Sequence, residues 1–182
     1  MSADFTEKRI SSHKAYRGDL LQVNEDEVRL PDGSQARREY VLHPGAALIL
    51  PIFEDGSVLL ERQFRYPVGS HFYELPAGKL EAGEPSLETA RRELLEETGY
   101  VAAEWRELCR LHPCIGYSNE TIDFFLARKL EFKGAQLDKG EFLETLRLPL
   151  AEGLDWVRRG RINDTKTIVG LFWAEKIIGE AW

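Results

Sequence analysis

Glu93, Glu96 and Glu97 crowd together just before Gly99, in a run that opens at Gly78 and closes at Tyr100. At about 100° per residue, positions three and four apart share a helix face. A helix over this run therefore gathers its carboxylates near its C-terminal end. Like charges four apart cost a helix roughly a few tenths of a kcal/mol, and acids at that end oppose the macrodipole. Local rules tend to be broken at functional sites. A hard divalent cation held by oxygen ligands, Mg²⁺ or Mn²⁺, relieves both faults; a solvated acidic face is the plainer alternative. Leu87, Ala90 and Leu94 supply an apolar stripe on which such a helix can pack. Arg92, four residues before Glu96, is placed to hold a carboxylate. Gly78, lacking a Cβ, lets the backbone approach a metal closely.

From Gly78 to Tyr100 the chain resembles the Nudix box, the signature Gly-x5-Glu-x7-Arg-Glu-U-x-Glu-Glu-x-Gly-U of the Nudix hydrolases, where U is a bulky apolar residue. Gly78, Glu84, Arg92, Glu93, Leu94, Glu96, Glu97, Gly99 and Tyr100 occupy its fixed positions, with Tyr100 aromatic where an aliphatic is commoner. Three further segments, Gln63 to Val68, Glu74 to Glu81 and His112 to Glu120, resemble the ADP-ribose pyrophosphatase branch. The proline of the third segment, Pro113, stands slightly closer to the box than that branch places it, so ADP-ribose and another nucleoside diphosphate sugar both stay open.

The resemblance implies an α/β fold, the Nudix α/β/α sandwich with a mixed sheet, preceded by a small antiparallel sheet. It implies Mg²⁺-dependent (or Mn²⁺-dependent) hydrolysis of the diphosphate bond of nucleotide sugars, which for ADP-ribose gives AMP and ribose 5-phosphate. It also implies a homodimer in which amino-terminal residues reach the partner's site. The carbonyl of Ala77 is then a metal ligand beside Glu93 and Glu97. Glu96 is left open between a ligand, a base-like helper and a surface acid, and Glu81 and Glu84 between steadying the loop and binding metal through water. Arg65 resembles the arginine that meets the diphosphate, for which a guanidinium is a matched fork. Glu74 and Ser118, in the other two segments, are further substrate contacts. Arg37 and Arg38 fall on opposite strand faces; Arg38 is the candidate for the partner's nucleotide. Tyr16 and Phe64 can stack on a purine or fill the core.

Hydrolysis of a diphosphate needs an activated water and neutralised phosphates, which divalent ions supply, and a carboxylate to accept the water's proton. Glu141 is the expected base, with Glu144 or Asp138 as substitutes. Two other readings are RNA-cap or dinucleoside polyphosphate hydrolysis, and a non-catalytic nucleotide-sugar sensor. The net charge of −7 speaks against the basic channel that nucleic acid requires. Neither a membrane-length apolar stretch nor a signal-peptide core is visible, so the expected compartment is the cytoplasm.

The elements that must position these residues begin with an amino-terminal meander over residues 1–43: a strand at Tyr16 to Val23, a turn at Asn24 to Asp26, a strand from Glu27, a turn at Pro31 to Gly33, and a strand over Gln35 to Leu42. Such a sheet buries little alone and must pack on the main domain or on a second subunit. Pro44-Gly45 opens the second domain, 44–182. Its apolar runs at 46–53 and 57–64 predict a hairpin about Glu54-Asp-Gly56. A loop over 66–83 leads into the box helix. Strands follow at 104–112, 121–130 and 143–148, then helices at Leu150 to Arg159 and Asn163 to Ile178, the second capped by Asn163 or Asp164. Cys109 and Cys114, at odd spacing, predict no disulfide and read as apolar filler.

Overall fold

The protein is described from a computed structural model, for residues 3–135, 137, 140 and 142–179. It groups into two compact units, Met1–Pro44 with His112–Thr121, and Gly45–Leu111 with Ile122–Trp182. Relative to the boundary expected at 43/44, the loop 112–121 joins the first unit.

In that unit, β1 (Lys8–Arg17), β2 (Gln22–Arg29) and β3 (Gln35–Leu42) form an antiparallel meander. The first turn differs from expectation. Asn24, Glu25 and Asp26 lie inside β2, paired with Tyr40, Glu39 and Arg38 of β3. The chain reverses at 18–21 instead, where Gly18 N–H donates to the Leu21 carbonyl. The polar triplet suits a strand because the side chains pair across it: Tyr40 Oη donates to Asp26 Oδ2 at 3.1 Å. The loop 112–121 docks on β3, with Val41 N–H donating to the Tyr117 carbonyl and Asn119 N–H to the Val41 carbonyl.

The second unit holds two sheets. One is mixed, in the order β7 (Ala77–Lys79), β4 (Ala46–Pro51), β9 (Ile122–Phe132), β8 (Tyr100–Leu111). The other is antiparallel, in the order β10 (Leu143–Pro149), β5 (Ser57–Arg65), β6 (Ser70–Glu74). The expected hairpin of β4 with β5 does not form. The two runs are joined by the turn at 53–57 and a single bridge from Ile52 to Val58, then diverge into different sheets. Each finds non-local partners: β4 lies parallel to β9, and β5 pairs with β6 and β10. The expected loop at 66–83 contributes the short strands β6 and β7.

β4 is buried at every residue, as suits a strand covered on both faces. Ala47 and Ile49 point toward α1 (Ser86–Thr98), meeting Ala90 and Leu94. Leu48, Leu50 and Ile52 face the other way, into a core with Leu60, Leu75, Phe124 and Leu171. Leu171 belongs to α3 (Thr165–Ile178), which follows α2 (Leu150–Arg158). The mixed sheet is thus sandwiched between the box helix and a layer holding the second sheet and α3. Asp164 caps α3, accepting from Thr167 N–H at 3.0 Å. Both cysteines are free, Cys109 half-buried against the core.

Candidate active site

The apolar stripe of Leu87, Ala90 and Leu94 seats α1 on the sheet, and this fixes where its acids go. Gly99 ends the helix in the left-handed region, φ 75°, its N–H returning to the Leu95 carbonyl. A Cβ there would lie 2.5 Å from Ala135 N, so the stop requires glycine.

One guanidinium gathers three of the box carboxylates. Arg92 Nη1 donates to Glu93 Oε1 and Glu96 Oε2, each at 2.9 Å, while Nε and Nη2 reach Glu84 at 3.2 Å. Thr89 Oγ1 also donates to Glu84, at 2.7 Å. Arg92 and then Thr89 hold the Glu84 carboxyl below the usual carboxylate range, and Glu84 foremost pushes Arg92 upward. Glu84 is therefore an anchor for Arg92.

Glu93 lies against β7. A Cβ on Gly78 would stand 1.9 Å from both Cδ and Oε1 of Glu93. The backbone beside Ala77 is brought directly to a helix carboxylate.

Glu97, 5% exposed, faces β5 rather than Arg92, and there it meets a residue that sequence reasoning missed. Glu61, in the middle of β5, is 1% exposed and abuts the Glu97 carboxyl. No described residue donates a hydrogen bond to either Glu61 oxygen. Burial, and then the charge of Glu74, pushes its pKa up to about 8. Opposite it on β6, Glu74 is forked by Arg65, Nε to Oε1 at 2.7 Å and Nη2 to Oε2 at 2.9 Å, and receives Lys166 Nζ on Oε2. Burial raises the Glu74 pKa, but Arg65 and Lys166 outweigh it and leave the carboxyl below its ordinary value. Lys166 was also missed. The available signals were a lone acid within the apolar run Val58-Leu59-Leu60, four residues before Arg65 on the same strand face, and a lysine just past the Asp164 cap.

Of the residues read from the sequence, Arg65, Glu74, Ala77, Glu93, Glu96 and Glu97 come together in the second unit, with Arg65 and Glu74 paired to each other. Glu144 does not join them. It pairs across the sheet with Arg62, whereas Thr145 pairs with Glu61, so strand alternation turns it to the opposite face. Its side chain is 77% exposed, 3.5 Å from Arg62. Glu141 and Asp138 lie outside the described residues. Tyr16, Arg38 and Ser118 belong to the first unit. Arg38 pairs with Glu7, Nε to Oε2 at 2.9 Å, Tyr16 is exposed on β1, and the Ser118 hydroxyl accepts from Glu120 N–H at 3.1 Å. Phe64 is exposed, with its ring edge-on to His71.

Among the described residues, no three His, Cys, Asp or Glu side chains converge as a ready metal cluster. Glu93 and Glu96 are turned onto Arg92. The residues nonetheless fit a divalent cation on two observations: the glycine cradle that sets backbone against Glu93, and buried carboxylate oxygens on Glu61 that receive no donor. An all-oxygen donor set suits Mg²⁺ or Mn²⁺.

Residues 42–166 match the NUDIX domain, and residues 7–41 match the nucleoside diphosphate sugar hydrolase N-terminal domain. A methanol dehydrogenase activator of Bacillus methanolicus is 36% identical over 169 residues, covering 92% of this chain and 91% of that protein. An ADP-ribose pyrophosphatase of Bacillus subtilis (strain 168) is 36% identical over 163 residues, covering 88% of each. A GDP-mannose pyrophosphatase of Citrobacter koseri is 34% identical over 160 residues, covering 83% of this chain and 81% of that protein. In fold, the chain matches a crystal structure of an ADP compounds hydrolase with TM-score 0.87 at 23% identity, covering 99% of this chain and 98% of the other.

Proposed function

This chain belongs to the Nudix family, and from that membership we propose that it hydrolyses the diphosphate bond of ADP-ribose or a related nucleoside diphosphate sugar. The products are a nucleoside monophosphate and a sugar phosphate. It is a hydrolase of acid anhydrides that works with a divalent metal, and Mg²⁺ is the ion we assign. The observation that carries the reading is Gly78 backed onto the Glu93 carboxylate, within a box that keeps every fixed position.

Glu93, Glu97 and the Ala77 carbonyl would hold the metal, with Glu96 beside them. When bound, the metal lowers the pKa of a water and neutralises phosphate charge. The chain's own contribution is positioning. Arg92 fixes the rotamers of Glu93 and Glu96 and is itself fixed by Glu84, so the carboxylates are ordered before substrate arrives. Arg65 offers the diphosphate a planar fork. Its hydrogen bonds to Glu74 hold the guanidinium in one plane, and Lys166 keeps Glu74 ionised for that task. Glu141 is the carboxylate we assign to accept the water's proton. Ser118, Tyr16 and Arg38 are substrate contacts from the amino-terminal unit, Arg38 reaching the partner of a homodimer.

The test is kcat/KM with Mg²⁺ for ADP-ribose, GDP-mannose, UDP-glucose, diadenosine polyphosphates and capped RNA. Preference for a nucleotide sugar is expected; preference for capped RNA or a diadenosine polyphosphate overturns the choice. The Bacillus methanolicus relative favours a second reading, activation of a dehydrogenase. Methanol dehydrogenase assayed with and without wild type and Glu97→Gln separates the two, since stimulation that survives loss of hydrolysis belongs to the second alone.

A further inference from the structure

The four residues Val58, Leu59, Leu60 and Glu61 form one buried run of β5, and an aliphatic side chain at the last would need no partner. A carboxylate there is costly unless paired. No cation beside it is hydrogen-bonded to it. The carboxyl groups around it are Glu74 and Glu97, and the cations are Arg65 and Lys166. Both cations are hydrogen-bonded to Glu74. Three carboxyl groups thus face two cations, both taken by Glu74, and the place without a cation is where Glu61 abuts Glu97. Neither Glu61 oxygen receives a hydrogen bond from a described residue, and the group that abuts it, Glu97, is itself an acid. What this place lacks is a cation, one with access to Glu97.

We propose that Glu61 is a further carboxylate ligand of the metal site, contributed from the sheet opposite the box helix and sharing a divalent cation with Glu97. This rests on the Nudix hydrolase reading above, and it adds to the box a ligand from outside it. The helix alone presents acids to one side of an ion. Glu61 would supply carboxylate oxygen from β5, and a bound cation would offset the charge of both acids. Arg65 and Lys166, by neutralising Glu74, keep the third acid from competing for the same ion.

The test uses EDTA-treated full-length protein titrated with Mn²⁺, following free Mn²⁺ by electron paramagnetic resonance, together with thermal melts in EDTA and in Mn²⁺. Glu61→Gln keeps the volume and removes the charge. We expect it to bind Mn²⁺ about tenfold more weakly or worse, to melt above wild type in EDTA, and to gain less from Mn²⁺. A merely structural role moves these readouts the other way: a lower melt in EDTA with wild-type Mn²⁺ affinity overturns the proposal. Should Glu61→Gln not fold, Glu61→Asp carries the test, retaining charge with a shorter reach. Binding at least several-fold weaker supports the assignment, and wild-type affinity overturns it. Glu97→Gln separates the two levels of the argument. If it binds Mn²⁺ weakly while Glu61 variants bind normally, Glu61 is no ligand but the box reading stands. If neither substitution weakens binding, both fall.

Discussion

Gly78 and Glu93 occupy one another's space: the position a Cβ would take on Gly78 lies 1.9 Å from the Glu93 carboxyl carbon and 2.3 Å from its Cγ. The contact joins the first fixed residue of the box to a carboxylate fifteen positions later (93 less 78), and it explains why the signature begins with glycine. The obstacle is a side chain, which can swing away, and not backbone. Gly78→Ala is therefore expected to fold with a nearly unchanged melting temperature and a displaced Glu93. Misplacing a catalytic group by about an ångström costs on the order of 100-fold, so kcat should fall by about that factor. Steady-state turnover beside a thermal melt checks this; an active Gly78→Ala would remove the cradle from the argument.

Arg92 donates to Glu84, Glu93 and Glu96 at once, which requires a guanidinium. Lysine keeps the charge as a single point and cannot span the three acids. Arg92→Lys is expected to lower kcat/KM by about 10–100-fold, with a smaller effect on the melt than on rate. Equal activity of Arg92→Lys and wild type would mean that charge alone is needed there.

How much of this was legible beforehand divides along the range of the contacts. The box helix, its Gly99 stop and a cap of the last helix at Asn163 or Asp164 were readable because each is set by residues within one turn, and Asp164 is the one that caps. The expected hairpin of the runs at 46–53 and 57–64 failed for the opposite reason. Both are continuous apolar strands, and nothing local says that one pairs with β9 and the other with β10. The turn placed at Asn24 to Asp26 failed because polar residues suit a strand whose side chains find cross-strand partners, as Asp26 finds Tyr40. Glu61 was hidden by its setting. Pattern reading smooths over a single acid in an apolar strand, yet its burial among Glu74, Glu97, Arg65 and Lys166 is a tertiary fact that only the pairing of β5 with β6 and the approach of α1 create.

Glu74 ties Arg65 on β5 to Lys166 on α3, so its charge holds two elements as well as a candidate substrate residue. Removing one member of a buried ion pair costs about 3–5 kcal/mol; Arg65 is 41% exposed at its side chain, which reduces the expected loss to about 2–3 kcal/mol. Glu74→Gln should lose that much stability in urea at pH 7 and should also raise KM, because Arg65 is no longer held in plane. A stable variant with an unchanged KM would show that the fork is ornamental.

Asp123 on β9 is forked by Arg110 of β8, Nε to Oδ1 at 2.6 Å and Nη2 to Oδ2 at 3.3 Å. Arg110 holds the buried Asp123 carboxyl below its ordinary value of 3.8. A lowered folded-state pKa means that the unfolded chain binds the proton more readily, so the stabilisation is complete above the ordinary value and is lost as pH falls through the folded one. Because Arg110 is largely exposed, the contribution is about 1 kcal/mol. Asp123→Asn should be less stable than wild type by that amount near pH 6. The difference should close below the ordinary aspartate range, as urea midpoints measured across pH would record. A gap that persists at low pH would assign the loss to packing and not to charge.

β1 is exposed at every residue, Ile10 and Tyr16 included, and forms the edge of its sheet. Ten residues of open edge invite pairing or coverage by another chain, and a sheet of three strands has little buried area of its own to sustain it. A homodimer covering this strand supplies both needs. Sedimentation equilibrium should then return twice the 20.8 kDa of one chain. Replacing Ile10 with lysine and Tyr16 with glutamate should shift the mass toward one chain. Neither side chain is buried within the chain, so the fold should survive the change. If the partner's site depends on amino-terminal residues, kcat/KM should fall together with the dimer as protein concentration is lowered. A wild-type protein that sediments as a monomer at micromolar concentration and turns over fully would sever the link between this strand and assembly.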